Sequence, residues 1–177
     1  REIEKRFKAK HAIALNSGTA ALHAGLAALG VQGKEVVTSP ATFSATASAI
    51  LLAGGIPRFA DVDPYTSCIT PATVAPLVSK RTRAILLVHL FGGFGAVQAF
   101  RDRWPGIPIV EDACQAVGAR DLHGFSGTQG ILGAYSFNGG KNIPAGEAGA
   151  LVTNSEEVER KARLVGFHGE NFGSKEV

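Results

Sequence analysis

The chain has 177 residues, 45% hydrophobic and 19% charged, which suits one domain with a real core and is too apolar for disorder. Its net charge of +3 is spread thinly, with no basic run and no interleaved aromatics, which argues against nucleic-acid binding. Apolar stretches such as residues 49–53 and 84–88 are too short to span a bilayer, and 2 cysteines exclude a disulfide framework or a cysteine-rich zinc site.

The charged start, residues 1–6, has no apolar segment behind it, so no signal peptide is expected and the two cysteines suit a reducing, cytoplasmic setting. The absence of methionine implies that the chain is processed or is a piece of something longer.

Helical and strand-like patterns alternate along the chain. Residues 2–9 read as the end of an amphipathic helix and 11–15 as a short strand. Cap-type residues at 16–19 then open an Ala/Leu-rich helix over 20–29, closed by Gly30. A strand over 35–39 is broken by Pro40, a helix covers 44–52 and a strand covers 58–61. Thr70 caps a helix with Pro71 at its first position. Residues 83–89 form a buried-type strand, followed by a Gly-rich turn and a helix over 96–104. Further strands are expected over 108–111, 134–137 and 150–153, and Ser155 caps a last helix running to Leu164. This order predicts one three-layer α/β/α domain around a mostly parallel sheet.

Ligands of such sheets bind beyond the carboxyl ends of the strands. The residues there are 16–19, 39–43, His89, 112–115 and 136–141. Ser17, Gly18 and Thr19 follow a strand and open a helix, which makes either a plain cap or an anion site suited to phosphate. No Gly-Lys-Ser/Thr loop and no dinucleotide fingerprint is present. Asp112 closes a buried-type strand and needs a cationic or hydrogen-bonding partner; a protonated heterocyclic nitrogen would serve. Lys141 follows a strand and two glycines, where a desolvated amine can act as a Schiff-base nucleophile. Phe43 offers a flat apolar face to the core or to a ligand. Together these are the parts that pyridoxal phosphate needs: an amine, a carboxylate opposite the ring nitrogen, an anion cradle and a stacking face.

The same stretches carry a resemblance. Asn16-Ser17-Gly18-Thr19-Ala20-Ala21-Leu22, Ala41-Thr42-Phe43-Ser44-Ala45-Thr46 and Phe59-Ala60-Asp61-Val62-Asp63 come first in order. Val88-His89-Leu90-Phe91-Gly92, Val110-Glu111-Asp112-Ala113-Cys114-Gln115-Ala116, Tyr135-Ser136-Phe137 through Lys141-Asn142, and Gly146-Glu147-Ala148-Gly149-Ala150 follow. With these the chain resembles the DegT/DnrJ/EryC1/StrS sugar aminotransferases, within the aspartate-aminotransferase-like pyridoxal-phosphate fold.

The resemblance implies that Lys141 forms the internal aldimine and shuttles the proton, and that Asp112 faces the pyridine nitrogen. It implies that Ser17, Gly18, Thr19 and Ser136 hold the phosphate, that Phe43 stacks on the ring, and that Gln115 lies beside the cofactor. It further implies transfer of an amino group, from glutamate, to a keto group of a nucleotide-linked deoxysugar by a homodimer. The related sugar 3-dehydratases carry histidine in place of this lysine. A keto-cyclitol or aminodehydroquinate-type acceptor, or a non-catalytic cofactor-binding homologue, is the alternative. Family members are longer, so the chain is expected to be the cofactor-binding large domain alone. Two departures stand out: Ile131 where an acidic residue is common, and Ala148 in a turn whose usual residue is glycine, which would resist a positive φ.

The histidines His11, His23, His89, His123 and His168 show no metal-ligand spacing, and most are expected to be structural; His89 is the exception, because it follows a buried strand toward the cofactor edge. Cys68 and Cys114 are expected to be free thiols, Cys114 a packing residue, and Glu111 is expected to pair with a nearby base.

Overall fold

Chain order and side-chain alternation place the described residues around one seven-stranded sheet. The computed structural model describes residues 1–167 and 169; His168 lies outside the described residues. The strands are β1 (His11–Leu15), β2 (Glu35–Thr38), β3 (Ile56–Phe59), β4 (Thr82–Val88), β5 (Ile109–Asp112), β6 (Leu132–Ser136) and β7 (Gly149–Thr153). The helices are α1 (Glu2–Phe7), α2 (Gly18–Ala28), α3 (Ala45–Leu52), α4 (Pro71–Val74), α5 (Val97–Arg103) and α6 (Glu156–Gly166). The sheet order is β1-β7-β6-β5-β4-β2-β3. Strands β2 to β6 run parallel, whereas β7 is antiparallel to both of its neighbours.

The three-layer expectation holds, and strand pleating shows why. Along β4, Ala84, Leu86 and Val88 enter one core with residues of α2, α3 and α6, while Ile85 and Leu87 enter a second core with residues of α4 and α5. Alternate residues face opposite sides of a sheet, so an unbroken apolar run is buried only if both faces are covered. Tyr135 and Val152 join Phe7 of α1 in a third cluster.

Several boundaries move for local reasons. The first helix stops at Phe7 because Lys8 turns left-handed, with φ 56°. Ser17 is the N-cap of α2, its side chain accepting from the Ala20 N–H, so the helix begins two residues earlier than its apolar pattern suggests. Thr70 and Thr73 form a reciprocal capping box ahead of Pro71, as expected of that start. Strand β3 starts at Ile56, before Pro57, which an edge strand tolerates. Strand β6 starts at Leu132, two residues early, because it threads Gly133 past Gly127; a Cβ on Gly133 would lie 2.1 Å from the Gly127 carbonyl oxygen.

Candidate functional site

The carboxyl ends of β4, β5 and β6, the loop after β2 and the start of α2 converge on one cavity of about 410 Å³. Ser17, Gly18, Thr19, Phe43, Asp112, Gln115, Ser136 and Lys141 all line it. A more open hollow of about 750 Å³, bordered by Arg101, Trp104 and Gln129, gathers none of them.

The α2 end forms the anion side. The first-turn N–H groups of Gly18 and Thr19 have no carbonyl one turn earlier to bond, and the helix dipole adds positive potential there. Ser17 acts both as cap and as cavity wall: its Oγ accepts from Ala20 N–H at 3.1 Å and donates to Asn16 Oδ1 at 3.3 Å. Gly149, at the start of β7, lets this turn come close, since a Cβ there would stand 2.2 Å from the Ser17 carbonyl carbon. Ser136, at the end of β6, completes the wall.

Asp112 is buried, 6% exposed, at the end of β5. Its Oδ1 accepts from Cys114 N–H at 3.1 Å and its Oδ2 from Thr46 Oγ–H at 2.7 Å. Thr46 Oγ1 also lies 2.7 Å from Thr42 Oγ1. A carboxylate only accepts, so Thr46 spends its one proton on Asp112 and Thr42 donates to Thr46. This relay ties the loop that carries Phe43 to the acid. Neither threonine emerges as a site residue from sequence reasoning, because 66 residues separate Thr46 from Asp112. The only sequence-level signal is a hydroxyl pair spaced i, i+4 at a helix start.

Lys141 sits on the excursion between β6 and β7, which is closed by Phe137 N–H to Ala148 O and Ala145 N–H to Phe137 O. Asn138 shapes this loop: it accepts from Gly140 N–H and from Lys141 N–H, and its amide donates to Glu147 at 2.6 Å. Among the described residues Lys141 Nζ has no hydrogen bond or ion pair. The positive φ of the following turn falls on Gly146, at 76°, and not on Ala148, so the alanine fits there. Phe43 forms the rim of the cavity and is 67% exposed, a face left for a ligand to cover. Cys114 packs beneath; burial and the neighbouring Asp112 charge push its thiol well above the usual range.

His89 turns away from the cavity. It is fully buried; its Nδ1 accepts from Gly95 N–H, so Nε2 carries the proton and donates to Glu111 Oε2 at 2.8 Å. Glu111 also accepts from the N–H groups of Gly127, Gln129 and Gly130. The pair therefore clamps two loops behind Asp112: the base expected beside Glu111 is present, whereas His89, set apart from the other histidines for its place toward the cofactor edge, does not line the cavity and serves the clamp. Among the described residues no group of three or more His, Cys, Asp or Glu could hold a metal ion.

A model of the DegT/DnrJ/EryC1/StrS aminotransferase family matches residues 1–176. The chain belongs to this family. It is 38% identical over 165 residues to the 3-oxo-glucose-6-phosphate:glutamate aminotransferase of Bacillus subtilis, covering 90% of this chain and 36% of that protein. An aminotransferase from Psychrobacter cryohalolentis superposes with a TM-score of 0.93 at 34% identity, covering 97% of this chain and 44% of the other. The Bacillus subtilis protein NtdA, solved with the cofactor PMP bound, superposes at 0.87 with 34% identity, covering 99% and 42%. The chain spans about half the length of the curated relatives it matches. The fold is that of the pyridoxal-phosphate aminotransferases of fold type I.

Proposed function

We propose that the chain is the cofactor-binding large domain of a pyridoxal-phosphate-dependent aminotransferase that moves an amino group from glutamate to a keto group of a nucleotide-linked deoxysugar. The observation that carries the reading is the meeting of Lys141, Asp112 and the α2 N-terminus in one cavity. Its donor set suits the cofactor: an amine with no hydrogen bond or ion pair among the described residues, a buried carboxylate with lone pairs to spare, and an anion cradle at a helix start.

Bound there, pyridoxal phosphate supplies an electron sink for proton removal next to nitrogen. Gly18 and Thr19 would hold its phosphate through their N–H groups, with the Thr19 and Ser136 hydroxyls alongside. Asp112, kept oriented by Thr46 and Cys114 N–H, would hold the ring nitrogen and favour its protonated form. Phe43, at the cavity rim, would cover a bound ring and exclude water from it. Lys141 Nζ would be the amine that holds the cofactor and, free of it, the base that moves the proton in the transfer. Glutamate and a keto-sugar as reactants are supported by the relative named for both. Residues outside this chain, from the rest of the protein and from a second subunit, complete the substrate site.

The test is amination of UDP-, GDP- and dTDP-linked 4-keto-6-deoxyhexoses with glutamate by the protein that carries this chain. Formation of an amino-sugar nucleotide together with 2-oxoglutarate supports the reading. Amination of a keto-cyclitol alone would move the substrate to the alternative class.

A further inference from the structure

We infer that the hollow beside the cofactor cavity receives the sugar ring of the acceptor, with Phe91 as the platform against which that ring lies. The inference rests on the aminotransferase reading above and adds where its acceptor sits.

Two cavities meet at Lys141. The second, of about 390 Å³, is bordered by Phe91, Gln115, Gly140, Lys141 and Asn142, and it shares Gln115, Gly140 and Lys141 with the first. Its size falls within the range of about 300–1,000 Å³ usual for small-molecule sites. Any molecule held in it lies against the same lysine that faces the cofactor cavity.

Phe91 is the unusual part of this wall. Its φ of 53° and ψ of 27° put an aromatic residue in the left-handed region, where sterics disfavour everything but glycine, asparagine and aspartate. Gly92, which follows, also has a positive φ, at 84°. The ring is 85% exposed, so core packing does not repay the strain. The backbone is held in this shape from the cofactor side: Phe91 N–H donates to Gln115 Oε1 at 3.1 Å. A strained, exposed aromatic pinned by a residue of the site fits a ligand contact better than a folding role.

The chemistry fits a sugar. A pyranose shows an apolar C–H face, which suits an aromatic ring, and hydroxyls around its edge. With Oε1 engaged by Phe91, the Gln115 amide N–H₂ is left as a donor, and the Asn142 amide stands on the same wall. Neither amide nitrogen has a hydrogen-bond partner among the described residues. Among the described residues Lys141 is the only cation in the lining, which suits a neutral sugar and leaves a diphosphate to be held elsewhere.

The test uses the holoprotein containing this chain, with Phe91→Gly, Phe91→Leu and Phe91→Tyr. Glycine takes the left-handed conformation freely, so Phe91→Gly deletes the ring without disturbing the turn. Calorimetric titration with unreactive UDP-, GDP- and dTDP-linked 6-deoxyhexoses, hydroxyl in place of keto, reads binding apart from turnover. The expected result is a dissociation constant for the sugar nucleotide raised about tenfold in Phe91→Gly, less in Phe91→Leu and hardly at all in Phe91→Tyr. The acceptor KM should follow, while borohydride trapping of cofactor on Lys141 and the cofactor's spectral response to glutamate stay unchanged. Unchanged sugar affinity in Phe91→Gly with intact trapping overturns the inference and leaves the aminotransferase reading standing. A changed oligomeric state with unchanged sugar affinity also overturns it, by assigning the ring to a protein contact. Failure of the unmutated protein to trap cofactor on Lys141 removes the reading, and the inference with it.

Discussion

Replacing Gly18 by alanine tests how the phosphate cradle is built. A Cβ at that position would stand 2.5 Å from Cys114 Sγ and 3.0 Å from Ser136 Cβ. Helix propensity alone favours alanine over glycine by about 0.8–1 kcal/mol. Overpacking a filled site costs about 1–3 kcal/mol, so the clash wins and the variant is less stable by up to ~2 kcal/mol. Gly18 and Ser136 both line the cavity, so the same displacement opens the cradle, and a loss of about 1.4 kcal/mol there weakens cofactor binding tenfold. Cys114→Ala removes the sulfur that the new methyl meets. The double variant should recover stability, with a coupling energy of about 1–2 kcal/mol, in the range found for residues in contact. Denaturant unfolding of the four apoproteins and cofactor titration of each measure both effects. A Gly18→Ala protein as stable as the parent with unchanged cofactor affinity would refute the packing argument, and so would strictly additive single effects.

Thr46→Val keeps the shape of a fully buried residue but removes the 2.7 Å bond to Asp112. A hydrogen bond to a charged group is worth about 1.5–3 kcal/mol, so turnover should fall by about 10- to 100-fold with cofactor still bound, and Thr46→Ser should restore it. Equal turnover in Thr46→Val would remove Thr46 from the positioning of Asp112. Glu111→Gln turns one acceptor oxygen of the buried clamp into a donor and strands two of its four partners. At about 1–3 kcal/mol for each unsatisfied buried donor, the loss is ~2–6 kcal/mol in unfolding free energy, and a loss below that range would show that water replaces the bonds. The raised thiol of Cys114 keeps it protonated at neutral pH, so iodoacetamide should label it more slowly than free cysteine at pH 8; equal labelling rates would contradict its packed, Asp112-facing position.

The layers of the fold and the candidate site were legible because both follow from local pattern. Short apolar runs such as 84–88 mark strands buried on two faces, and the residues just past them converge whichever way the sheet is ordered. The strand order, and the antiparallel placing of β7 between β1 and β6, depend on tertiary pairings that no periodicity encodes, that of β1 with β7 joining residues more than a hundred apart. The Thr46–Asp112 bond stayed hidden for the same reason, joining groups 66 residues apart through side chains that suit many roles, and although Glu111's need for a base was legible, nothing local named His89, 22 residues away, as that base. The backbone of Phe91 was illegible because an aromatic residue carries no signal of positive φ, whereas glycines such as Gly30, at φ 68°, do.

The account stands or falls on the amine that meets the cofactor. Pyridoxal phosphate is added to the protein that carries this chain, the mixture is reduced with borohydride, and the adduct is located by peptide mass mapping. The account predicts a reduced pyridoxyl group on the peptide containing Lys141 and its loss in Lys141→Ala with the fold retained. An adduct on a different lysine, or none, would contradict it.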